Sequence, residues 1–76
     1  MKLKIGKRLL FDVRSIQEAS RIYCEERDKS GEGARTFPDG KIDRDYFISY
    51  NGKVWQGKRL IFSPYWKPEA NEGSAK

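Results

Sequence analysis

The segment ISYNGKVWQG, residues 48–57, constrains the fold more than any other part of this chain. Asn51-Gly52 lies between two runs of strand-forming residues, and Asn-Gly readily supplies the positive φ angles of a two-residue hairpin turn. Such a turn sets Tyr50 opposite Lys53, Ser49 opposite Val54 and Ile48 opposite Trp55. Gly57-Lys58 suits a second tight turn that brings Trp55 to Leu60 and Val54 to Ile61. The result is an antiparallel meander over about 45–63, which Pro64 ends. One face then carries Tyr46, Ile48, Tyr50, Lys53, Trp55, Leu60 and Phe62, and the other Phe47, Ser49, Val54, Gln56, Arg59 and Ile61. Trp55 is expected in the core, because a domain this small needs the area an indole buries.

Upstream, Leu3, Ile5, Leu9, Phe11 and Val13 share odd parity, while Lys2, Lys4, Arg8 and Asp12 share even parity with Leu10 as the apolar exception. Period two over this length reads as a strand with one buried face. A two-residue turn at Gly6-Lys7 divides the apolar set between both faces, so one strand over about 2–12, bent at Gly6, is the expectation. Ser15-Ile16-Gln17-Glu18 is a capping box, and it opens a helix over about 15–29 that Gly31 stops. Val13, Ile16, Ala19, Tyr23 and Cys24 gather on one side of it; Arg14, Glu18, Arg21 and Glu25 form a solvated stripe on the other. From Gly31 to Asp45 the chain reads as a long loop with a turn at Pro38-Asp39-Gly40, into which a short strand at Lys41-Ile42 fits. The fold class is α+β: one helix on a mostly antiparallel sheet of about four strands, in the order β-α-long loop-β-β-β. Residues 1–68 make one domain, and the polar, small-residue tail 69–76 is expected to be disordered.

The chain lacks the parts of many chemistries. With no histidine and a single cysteine, it offers no Ser-His or Cys-His pair and no finger-type zinc site. No glycine-rich phosphate loop is present. Glu32, Asp39, Asp43 and Asp45 are the only enzyme-like grouping, and they are interleaved with Arg35, Lys41 and Arg44 as loop solubilisers are. Cys24 reads as a small core residue. No catalytic residue, metal or cofactor is expected. A lone cysteine fits a reducing cytoplasm, and no apolar run reads as a membrane span or a signal peptide.

Charge carries the functional signal. The net charge is +5, and residues 1–11 hold Lys2, Lys4, Lys7 and Arg8 without an acid. Residues 46–68 hold Lys53, Lys58, Arg59 and Lys67, again without an acid, whereas seven acids lie in residues 25–45. Basic strands beside aromatic residues suit a polyanion. The first expectation is a non-enzymatic protein that binds DNA or RNA: Lys2, Lys4, Lys7, Arg8, Lys53, Lys58 and Arg59 meet phosphates, and Phe47 and Tyr50 stack on bases. The alternative is a protein-interaction module or homodimer that uses Phe47, Val54, Ile61, Tyr65 and Trp66 as an exposed apolar surface.

Overall fold

The structure is a computed structural model, and it describes residues 1–7 and 9–65. It contains strands β1 (Lys2–Ile5) and β2 (Leu9–Asp12), helix α1 (Ile16–Ser30), and strands β3 (Gly40–Ile42), β4 (Tyr46–Ile48), β5 (Val54–Gln56) and β6 (Arg59–Phe62). The strands form one antiparallel sheet in the order β2-β1-β3-β4-β5-β6, with α1 packed on one face. The α+β class holds, with six strands in place of about four.

The two additional strands arise at the ends of expected elements. Residues 2–12 are a hairpin and not one strand: Leu3 pairs with Phe11 and Ile5 with Leu9, which leaves three residues in the loop. An odd loop length preserves parity. Leu3, Ile5, Leu9 and Phe11 therefore stay on one face, the requirement that favoured a single strand. Gly6 has φ 62° and a Cβ there would lie 2.8 Å from Pro38 Cγ, so the chain turns where glycine is needed. The turn also opens the far side of β1 to β3, which places Leu3 opposite Ile42. Loop 31–45 is correspondingly shorter than expected. Gly40–Ile42 is a strand, and Asp43-Arg44-Asp45 is its three-residue link to β4.

The Asn51-Gly52 turn is also one residue longer than expected. Phe47 pairs with Trp55 and Ile48 with Val54, and Ser49 N–H donates to Lys53 O across the loop Tyr50-Asn51-Gly52. A one-residue change of register exchanges the faces of a strand. Val54 is fully buried, and Trp55 stands on the side away from the helix. The helix accounts for this register. Ser20 Oγ donates 2.8 Å to Gly52 O in a buried contact, and a Cβ on Gly52 would lie 2.6 Å from Cys24 Sγ. The backbone at Gly52 thus sits directly on α1. At Gly57-Lys58 the turn has the expected two residues, and a bulge beyond it returns Phe62 to the core face opposite Val54.

Helix α1 follows its sequence signals closely. Ser15 Oγ accepts from Glu18 N–H at 3.0 Å, and Gly31 closes the helix at φ 69°. Glu18 Oε1 accepts from Arg14 N–H at 2.6 Å, one residue before the cap amide that a capping box uses. The core comprises Leu3, Ile5, Val13, Ala19, Tyr23, Phe37, Ile42, Ile48 and Val54. Tyr23 is its centre: its ring meets Phe37 edge-on at 5.4 Å, its hydroxyl donates to Pro38 O, and a Cβ on Gly40 would lie 2.9 Å from it.

Candidate nucleic-acid interface

Because α1 covers one face of the sheet, the other is left open. Directly opposed residues point to the same side of an antiparallel sheet. Leu10, Lys4, Lys41, Phe47, Trp55 and Leu60 are successive cross-strand neighbours, so they form one row across all six strands on the open side. Phe47 and Trp55 lie nearly parallel at its middle, with ring centroids 6.4 Å apart and planes 16° apart. Trp55 Nε1 donates 3.1 Å to Ser49 Oγ, which in turn donates to Asn51 Oδ1 at 2.6 Å. The indole is therefore held in one orientation by the hairpin loop beside it. Lys4 and Lys41 are exposed, and among the described residues neither forms an ion pair.

The two margins of the row differ in charge. By strand alternation Lys2 and Asp12 share the open face with Lys4 and Leu10, and they form an ion pair with each other. The hydrogen bond and charge of Lys2 hold the Asp12 carboxyl below its ordinary range. Asp43, at φ 51° in the loop next to β1, accepts from Lys2 N–H through Oδ1 at 2.8 Å and donates its own N–H to Lys2 O. Its carboxylate thus serves the backbone. The opposite margin carries Ser49 and Lys53, which share the open face with Phe47 and Trp55. Within the row itself, Lys41 directly opposes Phe47, and Lys4 lies one strand further out.

The structure separates the sequence-derived candidates. Lys2, Lys4, Phe47 and Lys53 lie on the open face. Lys7 lies on the helix side, at a groove of about 640 Å³ floored by Ile5, Leu9, Phe37 and Pro38. Arg59 opposes Gln56 and so points to the helix side; Lys58 is in the adjoining turn. Tyr50 is not at an exposed tip. Its hydroxyl donates to Glu32 O, its ring meets Phe37 edge-on, and the Arg27 guanidinium lies 5.4 Å from its ring centroid. Of the alternative apolar surface, Val54 is in the core because of the register shift, Ile61 is half-buried at the bulge, and Tyr65 is exposed. Arg8 and Trp66 lie outside the described residues, as does the tail 69–76.

Three members of the row escaped the sequence reading. The short strand expected at Lys41-Ile42 is present as β3, but Lys41 was not among the expected phosphate contacts; Ile42 as a core residue puts Lys41 on the opposite face. Trp55 and Leu60 were assigned inward by the two-residue turn. Cys24 is half-buried against the hairpin, and burial pushes its thiol upward, as for a packing residue. Among the described residues no three acidic or thiol groups gather closely enough to hold a metal ion, and no helix is long and apolar enough to cross a membrane. Compared with known proteins, the chain matches no family model, no curated protein and no solved structure.

Proposed function

We propose that this chain is a non-enzymatic protein that binds single-stranded nucleic acid on the open face of its sheet. The observation that carries the reading is the near-parallel Phe47–Trp55 pair beside Lys41 and Lys4, which have no ion pair among the described residues, in a single cross-strand row. Every base has a π-face, so stacking on two fixed rings gives affinity without sequence preference. Lys41, Lys4 and Lys53 supply phosphate contacts around the rings. Lys2 contributes little, because Asp12 already neutralises it. The acids at that margin direct the phosphate backbone toward the Lys53 side. A duplex hides its base faces, so it binds more weakly than a single strand. The lone, half-buried Cys24 suits a reducing compartment, and the cytoplasm is the proposed location.

The test uses Trp55 as its own reporter. In a Trp66→Phe chain, Trp55 is the sole tryptophan. A short single-stranded DNA or RNA oligonucleotide is expected to quench its fluorescence. Three phosphate contacts imply a log–log salt slope of roughly −2. Absence of quenching by both oligonucleotides at low salt overturns the proposal.

A further inference from the structure

Among the described residues, the outer edge of β2 has half of its backbone unused, and the ladder shows which half. Val13 N–H donates to Met1 O at 2.9 Å, in register with the Leu3–Phe11 and Ile5–Leu9 pairs. Bonded and non-bonded pairs alternate along an antiparallel ladder. Leu9 and Phe11 therefore turn their N–H and C=O groups toward β1. On the other side of β1, Asp43 N–H donates to Lys2 O, so Lys2 and Lys4 face β3 in the complementary phase. Leu10 and Asp12 are left with their N–H and C=O groups directed outward.

The two edges of the sheet are protected differently. β6 carries a bulge, which interrupts the flat row of donors and acceptors that another strand needs. β2 pairs with β1 over four residues without a register shift, and it exposes Leu9 at 37% and Leu10 at 63%. An edge that no described strand pairs with, carrying exposed leucines on both faces, is a template for strand addition.

We infer that β2 pairs antiparallel with β2 of a second copy of this chain, about a two-fold axis at Leu10. This register is self-complementary. Leu10 meets Leu10 of the second copy on the open face, as a bonded pair exchanging both N–H···O contacts. Leu9 meets Phe11 of the second copy on the helix side, beside the apolar groove. Lys7 precedes this strand and Asp12 ends it, so antiparallel copies bring a basic end near an acidic end. The interface is small, and the dimer forms and separates with concentration. A two-fold axis perpendicular to the sheet leaves both open faces on the same side. The two Lys41 residues then lie about 24 Å apart, five strand spacings of roughly 4.8 Å. That alignment of two binding rows rests on the proposed function; the pairing itself does not.

The experiment is sedimentation equilibrium on the full chain, without nucleic acid, from micromolar to millimolar concentration. The mass is expected to rise from 8.9 kDa toward twice that value. Leu10→Lys places two ammonium groups at the axis, and Leu10→Pro removes an outward N–H without touching the β1 ladder. Both are expected to remain monomeric where the parent is dimeric, with the circular dichroism of the Leu10→Lys chain unchanged. Phe47→Ala is expected to leave the mass unchanged, which separates the edge from the open face. In a Cys24→Ala background, Leu10→Cys is expected to cross-link on oxidation and Leu9→Cys is not, since a bonded pair has a Cα separation of about 5.5 Å, within disulfide reach. A monomeric mass throughout overturns the inference, as does a dimer that survives Leu10→Lys, or cross-linking of Leu9→Cys as rapid as that of Leu10→Cys.

Discussion

On β4 and β5, neighbouring residues experience different solvents. Ile48 and Val54 oppose each other beneath the helix and are fully buried. Phe47 and Trp55, one position away on each strand, oppose each other on the open side, where Phe47 remains 37% exposed. The apolar area is of similar kind on both faces, but its consequences diverge. On the helix side it is removed from water by folding alone. On the open side part of its burial is still available to a ligand. Of these four residues, the inner pair belongs to the core that holds the domain together, and the outer pair keeps area exposed to water.

The largest test of this division compares adjacent residues. Ile48→Ala leaves a cavity among Leu3, Val54 and Tyr23 and is expected to cost about 2–5 kcal/mol, a large share of what a domain of this size has. Phe47→Ala is expected to cost about 1 kcal/mol or less, the worth of one aromatic pair contact at a wet surface. Urea unfolding of both variants checks it. Equal losses would mean that the open face is structural, and the division would fail.

Binding should reverse the ranking. Phe47→Ala and Trp55→Ala are each expected to weaken single-strand affinity by about 1–3 kcal/mol, the typical value of one base stacked on an aromatic ring. Conservative changes on the helix side, such as Ile48→Val, are expected to leave affinity unchanged. Anisotropy titration with a labelled oligonucleotide measures both. An affinity loss for Ile48→Val as large as for Phe47→Ala would show that the rings are not the contact.

The buried side also has a pH signature of its own. Burial, with the Asp39 charge second, pushes the Tyr23 phenol well above its ordinary value. Above about pH 10 the unfolded chain releases this proton and the folded chain retains it. The folded state then binds more protons, so stability is complete below that pH and declines as pH rises further, by up to about 1.4 kcal/mol per unit. Tyr23→Phe loses the hydrogen bond to Pro38 O, about 1 kcal/mol at neutral pH, and flattens the alkaline limb. Denaturation midpoints at neutral pH and above pH 10 should therefore converge for parent and variant. Parallel alkaline limbs would remove Tyr23 as their source.

The sequence made the elements more legible than their faces, and loop parity explains the difference. The helix bounds were readable because their determinants are local: Ser15 and Gly31 act within one turn of the positions they cap. The turn at Asn51-Gly52 was equally readable, but its length was not. Ile42, Ile48, Val54 and Phe62 are all core-facing or core-packed even-numbered residues, and an odd loop joins β4 to β5 without changing parity. The residue that decides between two and three is tied to Ser20 of the helix, thirty-two positions away. The same parity rule hid the N-terminal hairpin, because a three-residue loop and a continuous strand leave Leu3 to Phe11 on the same face. The short strand at Lys41-Ile42 was legible, but its pairing with β1 and β4, which sets Lys41 between Lys4 and Phe47, was not. The candidate row thus depends on register, which pairs distant residues, more than on any motif.

The smallest predicted effect concerns which cations on the open face are available. Lys41 and Lys2 both belong to strands on that side, but among the described residues Lys2 is paired with Asp12 and Lys41 has no ion pair. Counterion release counts only charges that exchange small ions for phosphate. Lys41→Ala should therefore reduce the magnitude of the log–log salt slope for single-strand binding by about 0.7, while Lys2→Ala leaves it nearly unchanged. Asp12→Asn supplies the converse. It frees the Lys2 ammonium, and the slope should steepen by up to about 0.7 as one more phosphate is met. Titration of the three variants at several salt concentrations decides between them. A reduction for Lys2→Ala equal to that for Lys41→Ala would mean that the ion pair opens to the ligand, and the acidic margin would then not set the direction of the bound strand.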